Sequence, residues 1–213
     1  MVVKICANKT IGEAEMCLVA GADMIGVLVG QGHNSSDFID KQTAKEINDY
    51  INGRCPVVLV THLKYAKDII ELTNYIGNSF IQLHSDIDES EVKKICIALP
   101  NVKIIRVIHI SKSGEILTNI KDIKYANFYL LDSINKREDK IGGTGCVHNW
   151  ETSKKLVETL NKPVFLAGGL TPNNVQEAIS KVHPYGVDVN TGCKLNGKKN
   201  AYKVKLFVKN AKK

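Results

Sequence analysis

Two kinds of residue in this sequence can do chemistry together: a thiol and a carboxyl that could move protons, and glycine-rich turns that could hold an anion. Cys6 closes the apolar run from Val2, and Asp132 closes the apolar run from Phe128. A thiol at a strand end works as a general base if a nearby cation or helix N-terminus lowers its pKa. A carboxyl group on a different strand could then protonate an oxygen on the other side of a substrate. Read alone, Cys6 is more readily a small buried core residue than a catalyst, and Cys17, Cys55 and Cys96 read as structural. Asp132 is the stronger candidate, because an unpaired carboxylate among apolar neighbours costs free energy that only a role would justify.

The anion site is expected in two turns. Ala167-Gly168-Gly169-Leu170-Thr171-Pro172 sets two glycines between a strand and a helix start, and Asp188-Val189-Asn190-Thr191-Gly192 repeats the device after the next strand. Glycine lets backbone N–H groups approach an anion closely, and a helix N-terminus adds favourable partial charge. Either turn alone could be a plain tight turn; as a consecutive pair they point to phosphate. A third cluster, Ile141-Gly142-Gly143-Thr144-Gly145, lacks the Gly-Lys-Ser/Thr of a Walker A loop and matches no dinucleotide fingerprint. With the charged stretch before it, it reads as a mobile active-site loop around Gly143, or as a disordered surface loop. Gln82, His84 and Arg106 lie near other strand ends and are further candidates for substrate contact, as is Asp188. His84 suits a hydrogen-bonding scaffold role. The histidines have no metal-ligand spacing and no HExxH, so no metal centre is expected.

The elements that must position these residues alternate. Short β-branched runs are predicted at 2–7, 24–29, 57–61, 80–83, 102–108, 128–132, 164–167 and 186–189. Several are nearly continuous apolar runs, as parallel strands buried on both faces require. Amphipathic helical stretches are predicted at 11–20, 41–51, 66–76, 89–98, 150–160 and 172–181, the last opening with Thr171 as N-cap and Pro172 at the first helical position. Eight strands, each followed by a helix-sized segment, predict one α/β domain over 1–213, a single (β/α)8 TIM barrel. An open doubly wound sheet is the alternative. In a barrel the chemistry belongs at the C-terminal ends of the strands, where the candidates gather.

Composition agrees with such an enzyme. At 213 residues and 44% hydrophobic content the chain can bury one sizeable core. No signal peptide and no membrane-spanning stretch is read. The six cysteines show no CxxC pair, which suits a reduced, cytoplasmic compartment. The net charge of +7 is dispersed and densest after Lys198, where interleaved Val204, Leu206, Phe207 and Val208 indicate a solvated helix face rather than a nucleic-acid patch.

The motifs resemble those of the phosphoribosylanthranilate isomerases, barrel enzymes of tryptophan biosynthesis, over nearly the whole chain. Lys4-Ile5-Cys6 is similar to the family's opening Lys-Ile-Cys-Gly, and Gln82-Leu83-His84 to its Gln-Leu-His-Gly. Ala20-Gly21-Ala22-Asp23 with Ile25-Gly26 resembles its approach to the second strand. The most specific match is Leu130-Leu131-Asp132-Ser133 followed by Gly142-Gly143-Thr144-Gly145 and Trp150; Leu166 to Val175 and Gly186 to Val189 complete it. The resemblance implies an Amadori rearrangement of an N-linked ribosyl 5-phosphate. Asp132 would be the general acid at the ring oxygen and Cys6 the general base at C2. It also implies no cofactor, since the iminium is the electron sink, and a small sugar-phosphate substrate as the ligand, with no nucleic-acid or membrane partner and a monomer or homodimer.

One departure bears on substrate. Where the family usually has Ser-Pro-Arg-Tyr-Val, whose arginine pairs with the anthranilate carboxylate, this chain has Ser35-Ser36-Asp37-Phe38-Ile39. An aspartate there would repel a carboxylate. Ala7 and Ser85 replace glycines, and Asn190-Thr191-Gly192-Cys193-Lys194 replaces Ser-Ser-Gly-Val-Glu. Arg106 or Lys194 could supply the missing charge. The alternatives are a related enzyme of a different aminated sugar phosphate and a non-catalytic phosphate-binding barrel.

Overall fold

The computed structural model describes residues 1–32, 34–135, 140–141 and 149–213. Eight parallel strands close on themselves: β1 (Val2–Ile5), β2 (Met24–Leu28), β3 (Val57–Thr61), β4 (Phe80–Leu83), β5 (Lys103–Ser111), β6 (Phe128–Asn135), β7 (Val164–Leu166) and β8 (Gly186–Val189). Each pairs with the next, and β8 pairs with β1 through Val2↔Gly186 to Ile5↔Val189. The ring is the predicted barrel, so the open-sheet alternative is excluded by the β1–β8 ladder.

The helices are α1 (Ile11–Val19), α2 (Lys41–Ile51), α3 (Ala66–Ile76), α4 (Glu89–Ala98), α5 (Trp150–Thr159), α6 (Val175–Val182) and α7 (Ala201–Ala211). Their starts follow side-chain chemistry. The carboxylates of Asp40 and Asp88, the amide oxygens of Asn149 and Asn200 and the Thr10 hydroxyl accept backbone N–H groups of the first turns. Asn52, Gly77 and His183 end α2, α3 and α6 in the left-handed conformation.

Two expectations are corrected. Not every strand is followed by a helix: between β5 and β6 runs only a 3-10 turn at Ile120–Asp122. That segment is poor in the apolar periodicity a helix would bury. The sixth helix starts at Val175 rather than Pro172, because Asn174 accepts the Thr171 N–H at 2.7 Å and donates to Gly169 O at 3.0 Å. These bonds fold 171–174 into a turn that holds the glycine loop instead of extending the helix. The cluster around Gly143, expected as an active-site loop, lies outside the described residues.

Alternation along the strands divides the core. Outward residues such as Ile5, Ile25, Leu59, Leu131 and Leu166 pack under the helices. Inward residues Met24, Val58, Val60, Ile105, Val107, Leu130 and Phe165 fill the interior. At the bottom, Phe128 stacks within 6 Å of Phe80, Phe165 and Tyr185, closing the barrel with aromatic rings. Gly186 makes this possible, since a Cβ there would sit 2.5 Å from the Phe165 ring. The inward polar residues are displaced to the upper layers, towards the strand C-termini.

Candidate active site

The same alternation that buries Ile5 outward turns Lys4 and Cys6 inward, and in β8 it turns Asp188 inward beside them. Lys4 is fully buried, with Nζ 3.0 Å from Asp188 Oδ1, an ion pair by distance whose angle falls short of a directed hydrogen bond. Burial works against the Lys4 charge, yet Asp188 and the Cys6 thiol outweigh it and hold the ammonium above its usual range. Gly26 on β2 leaves room for both: a Cβ there would lie 3.0 Å from Cys6 Sγ and 3.3 Å from Lys4 Nζ. Cys6 is 7% exposed and opens onto a cavity of about 1010 Å³ at the C-terminal mouth. Burial pushes its thiol up, and Lys4 and Lys199 pull it down without overcoming burial.

Asp132, three strands away around the ring, lines the same cavity. Its Oδ1 accepts the Ser133 N–H at 2.8 Å, and His84 Nε2 stands 3.6 Å from Oδ2. Burial first, then the nearby Asp188 charge, push its pKa up to about 7, against the pull of the Ser133 N–H and Lys4. A carboxylic acid that keeps its proton near neutral pH is suited to donate it. Gln82 Nε2 lies 3.1 Å from His84 Nδ1, which links these two inward residues of one strand end to the acid.

The two glycine turns meet. Gly168 and Gly169 both have positive φ, 74° and 68°. A Cβ on Gly168 would lie 2.7 Å from Ser133 N, so this loop abuts the strand end carrying Asp132. Gly192 packs so tightly that a Cβ would fall 2.0 Å from Leu170 O. Gly168, Gly169, Asn190, Thr191 and Gly192 all line the cavity with Cys6 and Asp132.

Arg106 is a correction. Strand β5 extends to Ser111, and its inward residues are Ile105, Val107 and His109; Arg106 points outward and ion-pairs with Glu89 at the start of α4. It does not reach the cavity, so it cannot supply the positive charge considered for it. The other candidate, Lys194, forms an ion pair with Asp37 across the mouth, and Asn190 Nδ2 donates to the other Asp37 oxygen at 2.8 Å. Burial opposes the Asp37 charge, but these two donors hold its carboxyl below the usual range. The repulsion expected of Asp37 is therefore offset by a lysine from the strand-eight side.

Sequence reasoning passed over Lys4, Lys199, His62 and His109 as site residues. His62, His84 and His109 form a row with ring centroids 4.9 and 5.5 Å apart, and Phe38 lies 5.4 Å from His62. Burial drives His109 down to about 4, so it is neutral at physiological pH. Two-residue alternation from Cys6 would have exposed Lys4, and from Asp132's neighbour strand His109. Nothing in the sequence marked Lys199.

An inward carboxyl with a raised pKa and an inward thiol, beside two glycine turns at the mouth of a (β/α)8 barrel, make an arrangement suited to acid–base chemistry on a small ligand. The sequence model described as N-(5'-phosphoribosyl)anthranilate (PRA) isomerase matches residues 3–210. The chain is 42% identical over 213 residues to N-(5'-phosphoribosyl)anthranilate isomerase 2 of Methanosarcina mazei, covering 100% of this chain and 94% of that one. Among solved structures, the isomerase of Pyrococcus furiosus superposes with a TM-score of 0.83 at 28% identity, over 100% of this chain and 98% of that one. A phosphoribosyl anthranilate isomerase in complex with reduced 1-(o-carboxyphenylamino)-1-deoxyribulose 5-phosphate superposes at 0.77 with 25% identity, over 100% and 99%. The chain belongs to the N-(5'-phosphoribosyl)anthranilate isomerase family. The alternative of a different aminated sugar phosphate is not favoured by these relatives.

The contact between Gly192 and Leu170 makes a sharp prediction. Gly192→Ala forces the two glycine turns apart, because the obstructing atom is backbone and cannot rotate away. The KM for the sugar phosphate should rise about tenfold or more, the cost of roughly one lost anion hydrogen bond. Steady-state kinetics at saturating and limiting substrate check this.

Proposed function

We propose that this protein converts N-(5'-phosphoribosyl)anthranilate to 1-(2-carboxyphenylamino)-1-deoxyribulose 5-phosphate, with Asp132 as general acid and Cys6 as general base. The observation that carries this is the shared cavity: an acid whose pKa is raised to about 7 and a thiol beside a buried lysine both open onto it. The 5-phosphate is held by backbone N–H groups of the turns at Gly168-Gly169 and Asn190-Thr191-Gly192, with Gln82, His84 and Asp188 beside the sugar.

Asp132 gives its proton to the furanose ring oxygen. The C1–O bond breaks as the nitrogen lone pair forms the C1=N bond of an iminium. Cys6 takes the proton from C2 in its thiolate form, which burial disfavours and Lys4 and Lys199 favour. The C2–H electrons become the C1=C2 bond and the iminium π electrons return to nitrogen, which gives the enolamine. Tautomerisation then yields the ketone. Lys4 stabilises the thiolate, and the substrate iminium is a second cation facing the sulfur. The step needs no external electron acceptor, because the iminium is one.

The substrate's aromatic carboxylate would meet the Asp37 carboxylate that lines the cavity, and Lys194, paired with Asp37, offsets that repulsion. Lys194→Met is expected to raise KM about tenfold with kcat little changed, as loss of uniform binding requires. An unchanged KM would remove Lys194 from substrate recognition.

The test of the whole proposal is direct. Purified protein is mixed with freshly prepared phosphoribosylanthranilate and the loss of its fluorescence is followed. Turnover that disappears in Cys6→Ala and in Asp132→Asn is required; absence of turnover, or variants at the parent rate, overturns the assignment. The free buried thiols suit a reducing cytoplasm. No helix among the described residues is long and apolar enough to cross a membrane.

A further inference from the structure

One buried cation beside the thiol takes no proton-transfer step in the chemistry above. Lys199 lies on the hairpin formed by Lys194–Leu195 and Lys198–Lys199, and it is only 8% exposed. Among the described residues its ammonium pairs with no carboxylate. It donates to the backbone carbonyl of Cys6 at 2.5 Å and to Asn190 Oδ1 at 3.2 Å. A lysine turned inward to hold a main-chain oxygen is costly unless that oxygen needs holding.

The Cys6 carbonyl does. It belongs to the peptide joining Cys6 to Ala7, and Ala7 has φ of +57°, the left-handed region that a Cβ disfavours. This turn directs the chain out of β1 immediately after the thiol. The Cys6 N–H is already fixed by Val189 O at 2.8 Å, and Asn8 Nδ2 holds Ile5 O at 2.7 Å. The carbonyl of Cys6 belongs to the peptide that follows the base, and its partner comes from 193 positions away. The same ammonium holds Asn190, whose amide in turn donates to Asp37. A single polar chain thus runs from the peptide of the thiol, through the loop after β8, to the loop after β2.

We propose that Lys199 is a positioning residue: its ammonium locks the left-handed Cys6–Ala7 peptide against the Asn190 loop, and so aims the Cys6 thiol at C2 of the sugar bound there. The inference rests on Cys6 being the base. It predicts an effect on the chemical step rather than on affinity alone, because the thiol's aim matters most when the proton moves. Misplacing a reacting group by about 1 Å costs on the order of 10²-fold.

The experiment is steady-state kinetics on the full chain, with kcat expressed per folded molecule. Lys199→Met is expected to lower kcat about 30- to 100-fold while KM changes less than about threefold. Lys199→Arg, which keeps donors and charge, should recover most of the loss. Ala7→Gly in the Met background should also recover part of it, since glycine holds the left-handed turn without the tether. A merely structural lysine would not show rescue through Ala7. If Lys199→Met does not fold, Lys199→Gln against Lys199→Arg replaces it, and Gln must be the slower. Parent kcat in Lys199→Met or Gln, or no rescue by either Arg or Ala7→Gly, overturns the proposal. Parent activity in Cys6→Ala would instead overturn the assignment of the base, and the two failures are thereby distinguished.

Discussion

Asp132→Asn is expected to lower kcat by about 10³-fold or more and, at the same time, to make the protein more stable at alkaline pH. The kinetic loss follows because the amide has no acidic proton for the ring oxygen, and general acid catalysis contributes roughly 10² to 10⁴. The stability gain follows from linkage. The carboxyl titrates near 7 in the folded chain, against 3.8 as its ordinary value. Between those values the native state keeps a proton that the unfolded state has released. Stability of the parent therefore falls as pH rises from about 4 to about 7 and is flat above. The asparagine variant carries no such penalty. Its advantage is full above pH 7, has a ceiling of about 4 kcal/mol, and fades as pH falls towards 4. Thermal melts of both proteins at pH 8 and pH 4.5 check this, with a rise of several degrees at the higher pH and little at the lower. A variant less stable than the parent at pH 8 would mean that the carboxyl is charged and well paired in the native state. The activity of the parent should share the titration, with kcat declining above about pH 7 as the acid form is lost.

Cys6→Ala should be the more damaging change, with a loss of about 10³- to 10⁴-fold in kcat and KM nearly constant. Removing the thiol leaves the phosphate turns and the acid in place, so the sugar ring can still be opened, but nothing in reach takes the C2 proton. Cys6→Ser should be nearly as slow, because a hydroxyl is a far weaker acid than a thiol and Lys4 cannot make up that difference. Substrate deuterated at C2 gives an independent readout, since any residual reaction must show a primary isotope effect if proton abstraction limits it. The double variant Cys6→Ala with Asp132→Asn should be little slower than the worse single variant, as groups serving one reaction path are not additive. If the two losses multiply, the residues serve separate processes and the shared-cavity mechanism is wrong.

The fold was legible because burial on both faces leaves a plain mark. Parallel strands enclosed by helices read as short apolar runs, and strands 57–61, 80–83 and 186–189 were bounded to the residue. Helices at 41–51, 66–76 and 89–98 were equally plain, since their amphipathic faces and caps lie within one local window. The errors arose where non-local contacts decide. The length of β5 depends on its long ladder with β6, from Ile105↔Phe128 to Ser111↔Ile134. The missing helix before β6 and the turn that delays α6 depend on side chains folding back on loops.

By itself, the sequence determined the barrel, the strands that carry Cys6 and Asp132 towards its mouth, and the paired glycine turns, because periodicity and glycine placement are local properties; β6 runs on to Asn135, past its predicted end at Asp132. Tertiary structure alone decided the charges around them. It sent Arg106 outward to Glu89, neutralised Asp37 with Lys194, buried Lys4 against Asp188, and brought Lys199 to the carbonyl of Cys6. These are contacts between residues up to 193 positions apart. Electrostatic partnership depends on distance and burial in space, and neither is written in the order of residues along the chain.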